Sequence, residues 1–301
     1  MNKKIITSIG EILFDVYEGE KQIGGAPFNF IYHINKIAGN TNFITAIGDD
    51  EEGKEILQFL KSSKISTKYV DIKSDIETGK VLIELNENKI PDFTIFDNRA
   101  YDYINLSKVE EDEIIAESKL LYFGSLSQRN KVSRTTIQNL ANGSYQSMFD
   151  INIRQNFYSK DIIERSLTAC NILKVNEDEL KLISELFFDE NEGYYKTVKK
   201  IKEKYKIEFV SVTKGEEGAE LFSNSGTSFC KSPAVNVVDT VGAGDAYSAI
   251  LALGILHNID IEKINFLAVS FASEVIKRKG ALIEDEEIYK IYGDKILDEQ
   301  H

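Results

Sequence analysis

A short glycine-rich turn, "DTVGAGDAY" (239–247), combines residue types that bind a phosphate and act on it. Gly242 and Gly244 let the backbone approach an anion closely, and the unpaired N–H groups at the start of the helix that follows attract negative charge. Asp245, in the first turn of that helix, would repel a resting phosphate. Its carboxylate is therefore suited to accept the proton of a hydroxyl group that attacks the phosphate.

The spacing of this turn excludes two better-known phosphate loops. No Gly-Lys-Ser/Thr follows it, as a Walker loop requires, and its Gly-x-Gly lacks the third glycine of the dinucleotide fingerprint. The turn itself contains no basic side chain, so an anion would be held by backbone dipoles alone. By itself the pattern leaves phosphate binding and an ordinary start of a helix both open.

The elements that would position this turn alternate along the chain. Short apolar runs end in polar or glycine clusters: "KIITSIGE" (4–11), "NFITAIGDD" (42–50), "LLYFGS" (120–125), "SMFDIN" (147–152), "ILKVN" (172–176) and "FVSVTKG" (209–215). Between them lie amphipathic segments with helical spacing, such as 50–63 and 176–188. Strands alternating with helices predict an α/β fold whose parallel sheet is covered on both faces. Ligands of such sheets bind beyond the carboxyl ends of the strands.

Two segments break this alternation of strands and helices. "FDVYEGEKQIGG" (14–25) and "TGKVLIELNENKIPDFTIFDN" (78–98) alternate apolar and polar residues, and Asn86-Glu87-Asn88 is typical of a hairpin turn. They predict antiparallel strands with one exposed face, which pair as a small flap at the edge of the main sheet. A lid over a site and a plain extension of the edge both explain the pattern.

Composition limits the class of protein. The 301 residues include 36 Lys+Arg and 49 Asp+Glu, a net charge of −13, which repels nucleic acid. No linker or repeat divides the chain, so we expect one domain over 1–301. The N-terminal apolar run is too short for a signal peptide or a membrane span, and two cysteines, Cys170 and Cys230, make no disulfide framework. These features predict a cytoplasmic protein with no membrane or nucleic-acid partner.

Two separate signatures resemble one family. "DTVGAGDAYSA" and "GGAPFN" (24–29) resemble the C-terminal and N-terminal signatures of the ribokinase-like (PfkB) carbohydrate kinases. Further segments resemble the family in the family's order: "FGSLSQR" (123–129), "FDINIR" (149–154), "LKVNEDE" (173–179) and "VTKGEEG" (212–218). Departures such as Ile151 in place of a proline remove no reacting group.

The resemblance extends from about residue 5 to Ala281 and implies a fold. The ribokinase-like fold is a three-layer α/β/α sandwich with a mostly parallel central sheet and a small antiparallel β lid. Here the lid would be formed by about 12–25 and 77–104, inserted within a single kinase domain.

The resemblance also implies an ATP-dependent sugar kinase and assigns roles to residues. Asp245 would be the catalytic base, and the backbone of Gly242, Ala243 and Gly244 would form the anion hole. The predicted sugar-binding residues are Asp15, Gly24, Gly25, Asn29, Arg99, Tyr101 and Arg154. The predicted ATP-binding residues are Asn176, Thr213, Gly215, Gly218, Gly242 and Gly244.

Two cation sites follow from the same resemblance. The Asn-x-x-Glu pair, Asn176 and Glu179, would hold Mg²⁺ mostly through water, although helix capping explains this pair equally well. Asp239, Thr240 and Ala281 fall where relatives hold a monovalent cation. The expected ligands are therefore ATP, a sugar and Mg²⁺, with K⁺ as a further expectation.

The substrate is predicted from "GGAPFN", "FGSLSQR" and "RAYDYI" (99–104), which resemble the fructokinase branch. We therefore expect phosphoryl transfer to a primary hydroxyl of fructose. The alternatives are a 2-keto-3-deoxygluconate kinase, in which Arg99 or Arg154 would hold the carboxylate, and a nucleoside kinase. A catalytically silent sugar-binding regulatory protein is the alternative from another class. The exposed face of the lid further predicts a homodimer.

Overall fold

The structure is a computed structural model that describes residues 5–85, 91–143, 145–188 and 193–297. The strands within these ranges are β1 (Ile5–Ile9), β2 (Leu13–Tyr17), β3 (Glu20–Gly24), β4 (Thr41–Gly48), β5 (Tyr69–Lys73), β6 (Gly79–Leu85), β7 (Pro91–Ile95), β8 (Ser118–Phe123), β9 (Gln146–Asp150), β10 (Ile172–Asn176), β11 (Phe209–Thr213), β12 (Ala219–Phe222) and β13 (Thr227–Cys230). The helices are α1 (Ala26–Ala38), α2 (Glu51–Ser62), α3 (Lys108–Glu117), α4 (Lys131–Ala141), α5 (Lys160–Ala169), α6 (Glu177–Phe187), α7 (Tyr194–Tyr205), α8 (Ala243–Leu256), α9 (Ile261–Val275) and α10 (Glu286–Leu297). The predicted hairpin turn at Asn86-Glu87-Asn88 lies outside the described residues.

The large sheet has the strand order β13-β12-β11-β10-β9-β8-β1-β4-β5. Neighbouring strands run parallel from β11 to β5, and only the edge strands β12 and β13 pair antiparallel. Parallel neighbours need crossover connections, and the intervening helices supply them. The mostly parallel sheet predicted from the alternating runs is confirmed.

Both faces of this sheet are buried. Along β8, Leu120 and Tyr122 pack into the layer with α1, α2, α8, α9 and α10, whereas Leu121 and Phe123 pack into the layer with α3 to α7. Successive strand side chains point to opposite faces, so the continuous apolar runs of the sequence require helices on both sides. The result is the predicted three-layer α/β/α sandwich.

The second sheet has the order β3-β2-β6-β7. Each hairpin, β2–β3 and β6–β7, is antiparallel as predicted, but the joint between them is parallel and pairs Leu13 with Gly79. The reason is that β2 follows β1 and β6 follows β5, two strands that run the same way in the large sheet. A small core of its own includes Val81, Ile95 and Tyr101.

Helix α8, which carries Asp245, is buried from Asp245 to Ile255. Its sequence is apolar on all sides, as expected for a helix enclosed by other elements, and it packs between α1 and α9. This helix therefore holds the glycine turn before it in a fixed position. None of the helices in the described ranges has the length and apolar character that crossing a bilayer requires.

Candidate active site

The glycine turn begins α8. Gly242 is the N-cap residue and has a left-handed conformation with φ 76°. A Cβ atom placed on it would lie 2.3 Å from Cβ of Ala281, so no larger residue fits without a shift of the backbone. The first N–H groups of a helix have no partner within it, and the helix dipole adds positive charge there. The turn can therefore receive an anion through its backbone.

Asp245 lies in the first turn of α8 and is only 9% exposed. Its Oδ2 accepts a hydrogen bond of 2.8 Å from Nδ2 of Asn29, which α1 carries. Burial raises the pKa of Asp245 to about 6, and the nearby carboxylate of Asp150 adds to this, whereas Asn29, Lys174 and Arg154 act in the opposite direction. A carboxylate with this pKa is ionised at pH 7 and still accepts a proton readily.

Two predicted glycines lie where β3 meets α1. A Cβ atom on Gly24 would lie 2.5 Å from Oδ2 of Asp15, and one on Gly25, whose φ is 112°, would lie 2.6 Å from the carbonyl oxygen of Glu11. The glycines thus allow the backbone to lie directly against these polar groups. Burial raises the pKa of Asp15 to about 6, and the charge of Arg154 opposes that rise.

Arg154 lies in the loop that follows β9. Its guanidinium donates to the carbonyl oxygen of Ile153 at 3.3 Å and makes no ion pair within the described part of the chain. Its charge nevertheless lowers the pKa of three carboxyl groups, those of Glu11, Asp15 and Asp245. One exposed cation therefore acts on three carboxylates of this region.

Arg99 and Tyr101 lie in the connection after β7. The Arg99 guanidinium pairs with Glu77 and lies over the ring of Phe96, 5.1 Å from its centroid. Tyr101 is fully buried under the guanidinium of Arg129, and its hydroxyl has no hydrogen-bond partner among the described residues. Arg99 is thus engaged by residues that the sequence did not predict for the site.

Asn176 and Glu179 form a reciprocal cap at the start of α6. Asn176 Oδ1 accepts from the Glu179 N–H, and Glu179 Oε2 accepts from the Asn176 N–H, both at 2.8 Å. Glu179 Oε1 also accepts from the N–H of Ile153 at 2.9 Å. Each carboxylate oxygen thus already holds a backbone N–H. Such a donor set suits Mg²⁺ held through water, and the described ranges contain no cluster of three His, Cys, Asp or Glu residues for direct coordination.

The residues predicted for a monovalent cation meet before α8. Asp239 accepts from the N–H groups of Val241 and Gly280, at 3.0 and 2.9 Å, and Ala281 packs against Gly242. Carbonyl and carboxylate oxygens are ligands for such a cation, so the chemistry of this loop fits one.

A cleft of about 1090 Å³ opens beside the glycine turn. The predicted site residues on its wall are Thr213, Gly215, Gly218, Thr240, Ala243 and Gly244. Apolar side chains, among them Val235, Val269 and Ile276, line the same cleft. A cleft that combines a polar turn with apolar side chains suits a ligand with a phosphate end and a flat apolar end.

Sequence reasoning missed a lysine at the turn. Nζ of Lys174, on β10, lies 3.0 Å from the place where a Cβ on Gly244 would be, and it donates to Oδ1 of Asp150 at 3.0 Å. A basic side chain therefore does lie at the glycine turn, although none occurs in the turn's own sequence. The available signal was a lysine inside the apolar run "ILKVN".

A second residue missed from the sequence is Glu11, which follows β1. It is 4% exposed and accepts a hydrogen bond of 2.6 Å from Oγ of Ser127. Burial raises its pKa, and the Ser127 hydrogen bond opposes that rise. The signal in the sequence was its place at the end of a strand, directly after Gly10.

Comparison with known proteins finds similar carbohydrate kinases. A family model described as pfkB family carbohydrate kinase matches residues 5–287. An uncharacterized sugar kinase of Pyrococcus horikoshii is 29% identical over 299 residues, which cover 92% of this chain and 91% of that protein. A fructokinase of Salmonella typhimurium is 28% identical over 274 residues, 86% of each chain.

Solved structures agree as well. The structure of the Pyrococcus horikoshii protein has a TM-score of 0.82 at 26% identity and covers 98% of this chain and 100% of that chain. A second structure of that protein, in complex with ATP, has a TM-score of 0.76 at 26% identity and covers 95% and 99%. A Vibrio cholerae fructokinase double mutant, with fructose, ADP and a potassium ion bound, has a TM-score of 0.76. It covers 98% of this chain and 99% of its own, and at 18% identity it supports the fold alone.

Proposed function

Since this chain belongs to the pfkB family of carbohydrate kinases and is an ATP-dependent sugar kinase, we propose that it phosphorylates a primary hydroxyl of fructose, with Asp245 as the general base. The observation that carries this proposal is the position of Asp245. Its carboxylate lies in the first turn of α8, directly after Gly244 on the wall of the cleft, and accepts a hydrogen bond from Asn29 on α1. A group in that position can contact both reactants.

The reaction follows from these positions. Asn29 and Asp15 orient the sugar, and Asp245 takes the proton of its primary hydroxyl as the oxygen attacks the γ-phosphorus of ATP. A bond forms between that oxygen and phosphorus, while the bond from phosphorus to the β,γ-bridging oxygen breaks and ADP leaves. The backbone N–H groups of the turn at Gly242 and Gly244 stabilise the negative charge on the transferring phosphoryl group.

Two cations held by residues of this chain would assist phosphoryl transfer. Asn176 and Glu179 would hold Mg²⁺ through water, and the ion neutralises triphosphate charge when bound. Asp239, Thr240 and Ala281 would hold K⁺ behind the glycine turn and thereby fix its conformation. At both proposed cation sites the ligands would be oxygen atoms of these residues.

The polar side chains that are available to the substrate favour fructose. Asp15 and Asn29 are acceptors and donors for the hydroxyls of a neutral sugar, whereas Arg99 is engaged by Glu77. The relative in Salmonella typhimurium named fructokinase supports the same substrate. The alternative, 2-keto-3-deoxygluconate, is favoured by one observation: Arg154 is exposed and makes no ion pair within the described ranges, so it is available to a carboxylate.

A substrate panel that measures ADP release tests the proposal. We expect kcat/KM for fructose to exceed that for 2-keto-3-deoxygluconate at least about tenfold, which corresponds to about 1.4 kcal/mol in transition-state binding. Arg99→Ala should change the value for fructose little. If the sugar acid is the better substrate, fructose is the wrong substrate, whichever of Arg99→Ala and Arg154→Ala removes the advantage of the acid, while the assignment as a kinase is unaffected.

The small sheet gives a second prediction. Its own core is small, and opening it exposes little apolar surface, so local opening is cheap when the site is empty. We propose that it closes over bound sugar, and we expect hydrogen exchange across residues 78–98 to slow when fructose is added. Exchange in β10 serves as the internal control and should not change. Equal exchange across 78–98 with and without saturating sugar would rule out a closing lid.

A further inference from the structure

Asp150, at the carboxyl end of β9, is the centre of a buried polar cluster. It is 0% exposed, and its Oδ2 accepts from the hydroxyls of Tyr122 at 3.0 Å and Ser248 at 2.9 Å. Its Oδ1 accepts from Nζ of Lys174 at 3.0 Å. Three donors, one of them a cation, stabilise an ionised carboxylate away from water. Ser248 lies on α8, one turn after Asp245, so the cluster is attached to the helix of the base.

Lys174 connects this cluster to the glycine turn. Its Nζ packs against Gly244, the residue directly before Asp245, so closely that a Cβ there would lie 3.0 Å away. Its ion pair with Asp150 holds the ammonium group at this place, so Lys174 sets a positive charge beside the base.

Several charged or titratable groups face Asp245 from the surrounding elements. Asp150 from β9 raises the pKa of Asp245, Lys174 from β10 and Arg154 from the loop after β9 lower it, and Tyr122 from β8 is an uncharged neighbour. Asn29 from α1 is the remaining polar contact and does not titrate. Without Lys174, Asp150 and Asp245 would be two buried carboxylates with no buried cation between them. The negative charge of Asp150 would then act on Asp245 with no buried cation to oppose it.

We propose that Lys174 is a positioning residue for phosphoryl transfer: paired with Asp150 beneath the glycine turn, it supplies the counter-charge that keeps Asp245 free to accept the substrate's proton. The proposal rests on the assignment of Asp245 as the base. Lys174 acts through Asp245 and needs no contact with the sugar. Asp150 in turn fixes Lys174, because its Oδ1 is the acceptor of the lysine in the described part of the chain.

The pH dependence of kcat/KM for the sugar tests this role. In the wild type, kcat/KM should rise with pH through about 6, since the base must be deprotonated. Lys174→Met nearly keeps the length of the side chain but removes its charge. It should shift the rising limb of this pH profile to higher pH by at least about one unit, a tenfold change in proton affinity. Asp150→Asn should move the limb downward, and the double variant should return it close to the wild-type position.

A second lysine provides the matched control. Lys214 follows β11 and forms an equally short ion pair with Glu220, 3.0 Å, but it is absent from the groups that act on Asp245. Lys214→Met should leave the limb where it is. A limb that stays unmoved in Lys174→Met, or that stays displaced in the double variant, would overturn the proposal.

Two further comparisons cover a Lys174→Met variant that does not fold and separate the role of Lys174 from that of Asp245. If Lys174→Met does not fold because Asp150 is left unpaired, Asp150→Asn is compared with the double variant, which differs from it only in Lys174. The limb must then lie lower in Asp150→Asn, and equal limbs would contradict the role of Lys174. Turnover of Asp245→Asn distinguishes a wrong assignment of the base from a wrong role for Lys174. High residual turnover refutes Asp245 as the base. An inactive Asp245→Asn, together with a pH limb that does not respond to Lys174→Met, refutes only the present inference.

Discussion

Asp245→Asn is expected to lower kcat by about 10²–10⁴-fold, because the amide cannot accept the proton of the attacking hydroxyl. The amide oxygen can still accept the hydrogen bond from Nδ2 of Asn29, so fructose should bind nearly as before. Steady-state kinetics and calorimetric titration with the sugar measure the two effects separately. A variant that keeps more than half of the wild-type kcat would exclude Asp245 as the base.

The same variant should be more stable than the wild type above pH 6. The pKa of Asp245 is raised in the folded protein to about 6 from an ordinary value of 3.8, so the unfolded chain loses this proton first as the pH increases. The wild type therefore loses stability between about pH 4 and pH 6, and asparagine does not. A shift of this size corresponds to about 3 kcal/mol. Urea unfolding should give a larger difference at pH 8 than at pH 5.

Gly242→Ala is expected to lower kcat by about 10²–10³-fold, the effect of losing a donor from an anion-binding hole. Two causes act together: a left-handed φ of 76° disfavours alanine, and the new Cβ would lie 2.3 Å from Cβ of Ala281. The turn must shift, and its N–H groups no longer point at the transferring phosphoryl group. The measurement is kcat at saturating ATP and fructose.

Gly39→Ala is the control for this change. Gly39 also has a positive φ, 65°, but a Cβ there would meet nothing within 4 Å. Its φ of 65° and ψ of −156° lie in a region that essentially only glycine adopts, so alanine there imposes at least as much backbone strain, away from the turn. We therefore expect a loss of stability with unchanged kcat. Equal kcat losses in both variants would mean that backbone strain, not the geometry at the phosphate, explains Gly242→Ala.

The fold could be predicted in most respects because its signals are local. Apolar runs that alternate with amphipathic segments dictate a doubly covered sheet, and the regular alternation in 14–25 and 78–98 dictates strands with one exposed face. The parallel joint between β2 and β6 could not be predicted in this way, because the direction of each strand depends on where β1 and β5 deliver the chain. That is a property of the assembled sheet.

The site residues also divide into those with local sequence signals and those that depend on the assembled sheet. Asp245, Asn29 and the glycines stand in contiguous motifs, and the resemblance of these motifs to the carbohydrate kinase family singled them out. Lys174 and Asp150 each stand alone within a buried strand, and nothing local indicates that their side chains meet. Only the pairing of β9 with β10 brings them side by side beneath α8. Charges that act through neighbours are found from tertiary structure, not from spacing.

The parallel joint of the small sheet also constrains the order in which the molecule assembles. Pairing Leu13 with Gly79 closes a long loop that contains α1, β4, α2 and β5. The entropy of closing such a loop is recovered only when these elements dock on one another, so β2 and β6 pair as part of that docking and not as an isolated hairpin. The contact between Asn29 and Asp245 closes a still longer stretch, 216 residues. Neither the strand that carries Asp15 nor the contact of the base with α1 can therefore form from a local segment of the chain, and both depend on the assembled sheet.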